Sequence, residues 1–169
     1  MLKAIAERYS CRSYTDAPVS EEAVTEIVRA GMRAPSGMNV RPWHIIVVRD
    51  PDLRGQLAQV HQYSGFCAQS PVVFAVCGDA QASSHWWQED CAAAIQNMLL
   101  QATDLGLGTC WIGIRGGEER GYEREDAVRK VLEVPDHIRI LALISCGYPA
   151  SPGTPKPAGP MEQVHYDGW

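Results

Sequence analysis

Residues 34–49 read "APSGMNVRPWHIIVVR". The stretch joins two elements of different period. Before it, Val24, Ile27, Val28 and Met32 fall on one face of an amphipathic helix, with Ser20 as its N-cap and Glu21 and Glu22 in its first turn. That helix stops before Pro35, because a residue ahead of proline is pushed out of the α region. After it, "WHIIVVR" is rich in β-branched residues and reads as a buried strand. Between the two lie small polar residues and then Pro42-Trp43, an interruption which implies that something lies on the loop.

Outward from this junction the chain alternates helices and strands. Leu2, Ile5, Ala6 and Tyr9 mark a short N-terminal helix that runs into the turn "RYSCRSY". Downstream, "DPDLRGQLAQV" restarts a helix with Asp50 as cap, Pro51 at its first position, and Leu53, Leu57 and Val60 facing inward. "PVVFAVCGD" is a buried strand. "QEDCAAAIQNMLLQATDL" is the longest helix, with Ala92, Ile95, Met98, Leu99, Ala102 and Leu105 on a wide apolar stripe ended by Gly106 and Gly108. "TCWIGI" leads into a glycine-rich loop, "RGGEERGY". A polar helix holding Val128, Val131 and Leu132 follows, closed by Pro135, and "IRILALISCGYP" is a further buried strand. Alternation of this kind by itself suggests parallel strands. From Pro149 the composition shifts: Pro149, Pro152, Pro155, Pro157 and Pro160 deny the chain both helix and central-strand pairing. Residues 149–169 are therefore an extended arm of a single domain covering 1–169. Val164, Tyr166 and Trp169 at its end suit an edge strand or an apolar groove, and a second subunit is a candidate surface.

Composition narrows the function. The 169 residues carry a net charge of -5, which argues against a protein whose main task is neutralising nucleic acid or an anionic membrane. The N-terminus lacks the uninterrupted apolar region of a signal peptide and no transmembrane run follows, so a cytoplasmic location is expected. Six cysteines, at 11, 67, 77, 91, 110 and 146, show none of the paired spacings of a zinc ribbon or redox dithiol, and no metal centre is expected. Cys77 and Cys146 read as small core hydrophobes; a thiol or metal role for Cys91 and Cys110 is the weaker possibility. "GLGTCWIG" is not a dinucleotide fingerprint, since Trp111 occupies its third glycine position and the segment follows a helix. No nucleophile elbow, zinc-binding helix or P-loop occurs, so an enzyme built from this chain needs a bound cofactor for its chemistry. In "RYSCRSY" the alternating Arg8, Ser10 and Arg12 leave one face of an extended chain, a phosphate-sized constellation whose plain alternative is a solvated basic turn.

Five segments in register carry a resemblance. The R-x-S-x-R-x-Y turn, "APSGMNVRPWHIIVV", "AAAIQNMLLQATDLGLGTCWIG", "VPDHIRILALISCGYP" and the Lys-Pro arm ending in "VHYDGW" resemble the nitroreductase family of FMN-dependent oxidoreductases. The resemblance implies an α+β fold: a mostly antiparallel central sheet flanked by helices, in a homodimer with exchanged C-terminal arms. It assigns Arg8 and Ser10 to the FMN phosphate and Arg12 to the ribityl and pyrimidine side. Pro35, Ser36, Gly37 and Asn39 become a wall contributed across the dimer, where small residues let the backbone pass close to a flat ring. The backbone amides of Ile112, Gly113 and Ile114 would lie beside the flavin, and Lys156 on the phosphate. No catalytic side chain is then required. The implied reaction is ping-pong: NAD(P)H gives hydride to flavin N5, and a nitroaromatic or quinone takes it. An FMN-binding storage or sensor protein with little turnover is the alternative. Two departures stand out: Arg41 replaces a common glutamine, and Ala158 replaces a second basic residue after Lys156. His85, Trp86 and Trp87 read as packing or helix-entry residues, His44 as a core or interface histidine, and loop 115–122 as either a rim controlling access or ordinary surface.

Overall fold

The computed structural model describes residues 1–119 and 122–169, with the side chains of 118, 119 and 122 also left aside. Among the described residues, five α-helices and six strands follow in the order α1 (Lys3–Glu7), α2 (Glu21–Met32), β1 (Trp43–Val48), α3 (Pro51–Leu57), β2 (Val72–Asp79), α4 (Trp87–Asp104), β3 (Gly108–Gly113), β4 (Glu118–Glu119), β5 (Tyr122–Glu123), α5 (Arg124–Leu132) and β6 (Ile138–Gly147). Two of the caps read from the sequence are formed. Ser20 Oγ accepts the Ala23 N–H at 3.1 Å, and Asp50 Oδ1 accepts those of Asp52 and Leu53 at 3.0 and 2.9 Å. Each satisfies donors that a helix start leaves orphaned.

The main sheet has the order β1-β2-β6-β3, and all three pairings are antiparallel. This confirms the α+β sheet implied by the resemblance and overrides the parallel arrangement that alternation suggested. Periodicity reports which faces of a strand are buried, not the direction in which the chain re-enters the sheet. Along β2 the side chains alternate between two cores: Val72, Phe74 and Val76 face α2 and α4, whereas Val73, Ala75 and Cys77 face α3 and α5. Both faces of the sheet are thus covered, and β2 and β6 read as continuous apolar runs for that reason.

Three local expectations change. β1 is an edge strand with His44 and Val47 exposed, so "WHIIVVR" is only half buried. Val60 is buried but lies beyond the end of α3. The apolar stripe of α1 is not covered by this chain: Leu2 is 70 % and Ile5 48 % exposed. The C-terminal arm starts against the body, through Tyr14 paired with Pro149 and the Ala150 N–H donated to the Ser13 carbonyl at 3.0 Å. Beyond Lys156 it is exposed throughout. Among the described residues no helix is long and apolar enough to cross a membrane.

Candidate active site

β3 has β6 on one side and an open edge on the other, and the turn after α1 attaches to that edge. Ser10 pairs in parallel with Thr109, and the Cys11 N–H donates to the Thr109 carbonyl at 2.9 Å. The approach is close because Gly108 has no side chain there; a Cβ would stand 2.6 Å from that of Cys11. On its other side the turn meets the arm. Gly153 lies on the Tyr9 ring with no space for a Cβ.

These contacts enclose a cavity of about 440 Å³ lined by Arg8, Ser10, Arg12 and Lys156, together with residues 151–154 of the arm. The three alternating residues of "RYSCRSY" therefore converge, and a lysine more than 140 positions away in sequence joins them. The described lining contains three cationic side chains, several hydroxyls and no carboxylate. That donor set suits an anion with several oxygens, such as a phosphate monoester.

A second cavity of about 640 Å³ adjoins the first and shares Arg12 with it. Its lining is more aromatic and apolar: Tyr63, Phe66, Trp111 and Ile112, with His61 and Gly113. Sequence reading missed the 61–66 segment. Its signal was a short polar-aromatic run, "HQYSGF", which has neither helical nor strand period. In the fold it is held by its own side chains: His61 Nδ1 accepts the Tyr63 N–H at 2.8 Å, and Ser64 Oγ donates to the Ala58 carbonyl at 3.0 Å.

The sheet register decides which amides face these cavities. The Ile114 N–H donates to the Leu141 carbonyl at 3.1 Å, and the side chain of Ile114 is fully buried. In an antiparallel ladder, residues alternate between bonding the neighbour and facing away. Ile112, two residues earlier, therefore also turns its N–H toward β6, while Trp111 and Gly113 turn theirs to the open edge. Of the amides expected beside a flavin, those of Ile112 and Ile114 turn to β6. Gly113 keeps an available N–H, and Ile112 contributes its side chain to the cavity wall.

Pro35, Ser36, Gly37 and Asn39 line neither cavity of their own chain. They form a compact exposed coil in which Met38, Asn39 and Arg41 have φ of 50°, 57° and 55°. Left-handed conformations of this kind cost of order 1 kcal/mol each in non-glycine residues. Internal bonds hold the coil: Ser36 Oγ accepts the Arg41 N–H, and Asn39 Oδ1 accepts from Arg41 Nε, both at 2.9 Å. Arg41 is thus tied to its own loop. Gly37 is required because the Trp86 ring occupies its Cβ position, at 2.8 Å. Trp87 is buried and packs in the same way on Gly78. Arg115 lies over the Trp87 ring at 5.8 Å, in a cleft separate from Lys156. Loop 115–122 lies partly outside the described residues.

The thiols are held away from nucleophilic chemistry. Burial pushes the Cys91 thiol up to about 12 and also raises Cys110, so neither is a thiolate at neutral pH.

Comparison with known proteins shows the family. The profile of the nitroreductase family matches residues 5–63 and 56–148. A protein of Methanothermobacter thermautotrophicus with the provisional name NADH dehydrogenase/NAD(P)H nitroreductase is 37 % identical, covering 100 % of this chain and 87 % of that protein. A crystal structure from Parabacteroides distasonis, under the same provisional name, superposes with a TM-score of 0.93 at 39 % identity, covering 99 % of this chain and 97 % of the other. A Desulfovibrio desulfuricans structure, provisionally named a nitroreductase and solved in complex with FMN, has a TM-score of 0.82 at 31 % identity, covering 99 % of this chain and 96 % of that one. A turn on the open edge of β3, an arm returning to it and a cationic cavity between them thus occur in a chain that belongs to the nitroreductase family.

Proposed function

We propose that this chain is an FMN-dependent NAD(P)H oxidoreductase acting on small organic acceptors such as nitroaromatics or quinones, as a homodimer with two sites. The observation that carries the reading is Arg12, which lines both the cationic cavity and the aromatic one. A ligand with a phosphate at one end and a flat ring at the other matches that pair of cavities and that junction. Arg8, Ser10 and Lys156 hold the phosphate by charge-assisted hydrogen bonds. Arg12 takes the polar linker and the adjoining ring edge. The open-edge N–H of Gly113 offers a fixed donor where negative charge develops on a ring seated against β3. When bound, FMN supplies two-electron transfer between NAD(P)H and the acceptor.

The remaining wall comes from a second copy. Pro35, Ser36, Gly37 and Asn39 are turned away from the cavities of their own chain, and the arm beyond Lys156 has no cover from its own body. Exchange of arms between two copies covers both. The names of related proteins support the chemistry: beside those above, a Bacillus subtilis relative, 27 % identical over 98 % of this chain, is an FMN reductase using NAD(P)H.

Visible absorption of the purified protein tests the reading. A flavin band that bleaches anaerobically with NAD(P)H, and returns when a quinone or nitroarene is added, is expected. Parallel double-reciprocal plots are expected for the ping-pong order. A protein that cannot be loaded with FMN overturns the proposal, and bleaching without turnover on any acceptor would return it to flavin storage or sensing.

A further inference from the structure

Asp90, in the first turn of α4, is only 5 % exposed. A carboxyl group removed from water needs hydrogen-bond partners, and Asp90 finds them on two neighbouring segments. Its Oδ1 accepts the Gly37 N–H at 2.8 Å, and its Oδ2 accepts the Ser83 hydroxyl at 3.4 Å. One turn earlier the Trp86 ring lies against Gly37, where a Cβ would approach to 2.8 Å. The entry of α4 therefore grips the 36–41 coil at one residue, from two sides.

That grip does something the bonds inside the coil cannot. The pairs Arg41–Ser36 and Arg41–Asn39 fix the shape of the coil but not its place on the body. A segment with left-handed residues at 38, 39 and 41 keeps its conformation only where its surroundings over-determine it. The same helix also leads into β3, with the Leu107 N–H returned to the Ala102 carbonyl at 2.8 Å. α4 thus links the coil to the strand edge that carries Gly113.

We propose that Asp90 is a positioning residue: through the Gly37 N–H it holds the 36–41 coil as the rigid wall that closes the FMN site of the second copy, and so governs FMN retention and redox poise. The inference rests on the FMN reading above. It differs from that reading in placing control of the cofactor on a buried residue that lines neither cavity.

The test is FMN titration of the stripped protein, read by flavin fluorescence, together with the midpoint potential of the loaded protein, for Asp90→Ala and Asp90→Asn. Asp90→Ala is expected to raise the Kd about tenfold and to shift the midpoint potential, which a purely structural role would leave in place. Asp90→Asn is expected to stay within about twofold, because its amide oxygen still accepts the Gly37 N–H. An Asp90→Ala protein that matches wild type in both Kd and potential overturns the proposal, whatever its melting temperature. Where Asp90→Ala does not fold, Asp90→Glu decides, since it keeps the charge and displaces the acceptor by one methylene; weakened FMN binding supports the role and wild-type binding removes it. Wild-type protein that takes up no FMN overturns the underlying reading, and the positioning role with it. Wild-type protein that binds FMN beside indifferent variants overturns the positioning role alone.

Discussion

The hydroxyls of Tyr14 and Ser145 lie 2.6 Å apart in the buried interior, although 131 residues separate them in sequence. Tyr14 also donates to the Cys11 carbonyl at 2.7 Å, so its single proton is committed and the Ser145 hydroxyl must be the donor between the two. Burial raises the Tyr14 phenol well above its ordinary range, which keeps that proton in place at every working pH. The pair ties the 8–14 turn to β6, and neither residue lines the cationic cavity.

Tyr14→Phe strands the Cys11 carbonyl and leaves Ser145 without its acceptor. We expect a loss of roughly 2 kcal/mol in urea unfolding, the scale of an unsatisfied buried group. FMN binding should weaken as well, because Cys11 and its neighbours form the turn that carries Arg8, Ser10 and Arg12. An unchanged unfolding midpoint would show that the turn is held by its backbone bonds to Thr109 and to the start of the arm.

Comparing FMN with riboflavin separates the two cavities. Arg8→Ala and Lys156→Ala should each raise the Kd for FMN by about tenfold, within the range for losing a hydrogen bond to a charged group. Both should leave riboflavin binding nearly unchanged, since riboflavin lacks the phosphate. Arg12→Ala should weaken both ligands. A uniform loss across the three variants would mean that Arg12 has no separate role at the junction. Ala158 offers no charge beside Lys156, and Arg115 is engaged over Trp87, so Lys156 should carry the arm's charge contribution.

Much of this was legible from residues, and the gaps have a common cause. Ser20, Asp50 and Pro51 marked helix starts because capping is local chemistry. Arg8, Ser10 and Arg12 could be read as one face because alternation in an extended chain is also local. The 61–66 segment escaped because a turn held by its own side chains leaves no periodic trace. The facing of the Ile112 and Ile114 amides left no trace because it depends on the register with β6, a relation between residues about 30 positions apart. Asp90 has no local signature either: it is one of two acidic residues in the first turn of α4, and its bond to Gly37 spans 53 positions. The direction of the strands came only through the family resemblance.

Glu125 gives a pH prediction. It is nearly buried, and its carboxylate accepts from Arg139 Nε and Nη2 at 2.6 and 2.8 Å and from the Ile140 N–H at 3.0 Å. Burial alone would raise its pKa, but the Arg139 and Ile140 hydrogen bonds and the two arginine charges outweigh burial and hold it below its ordinary value. A carboxylate with a depressed folded pKa stabilises the fold fully above its unfolded pKa, and the contribution is lost as pH falls through the folded value. Glu125→Gln should therefore cost about 2 kcal/mol near neutral pH, discounted from the figure for a fully buried pair because Arg139 is partly exposed. In urea unfolding the gap from wild type should hold above the unfolded glutamate pKa of about 4.3 and narrow from there as pH falls through the lower folded value. A gap that is constant to pH 3 would assign the loss to packing between α5 and β6 instead of to charge.

The arm supplies the test of assembly. Met161, Val164, Tyr166 and Trp169 are all exposed, Tyr166 by 81 %, and Trp169 stacks on His165 at 4.4 Å. Large apolar side chains gathered at one end of a proline-rich strap mark a surface that another surface covers. The uncovered Leu2 and Ile5 of α1 give the same indication from the opposite end of the chain. Sedimentation of the intact protein should therefore give about twice the 18.6 kDa chain mass. Removal of residues 159–169, which leaves Lys156 in place, should shift the protein toward monomer and raise the FMN Kd together, because in the proposed dimer the 36–41 coil, which lines neither cavity of its own chain, is supplied by the partner. An intact chain that sediments as a monomer while holding FMN tightly would separate cofactor binding from assembly, and would require the wall over the flavin to come from the chain's own 61–66 segment.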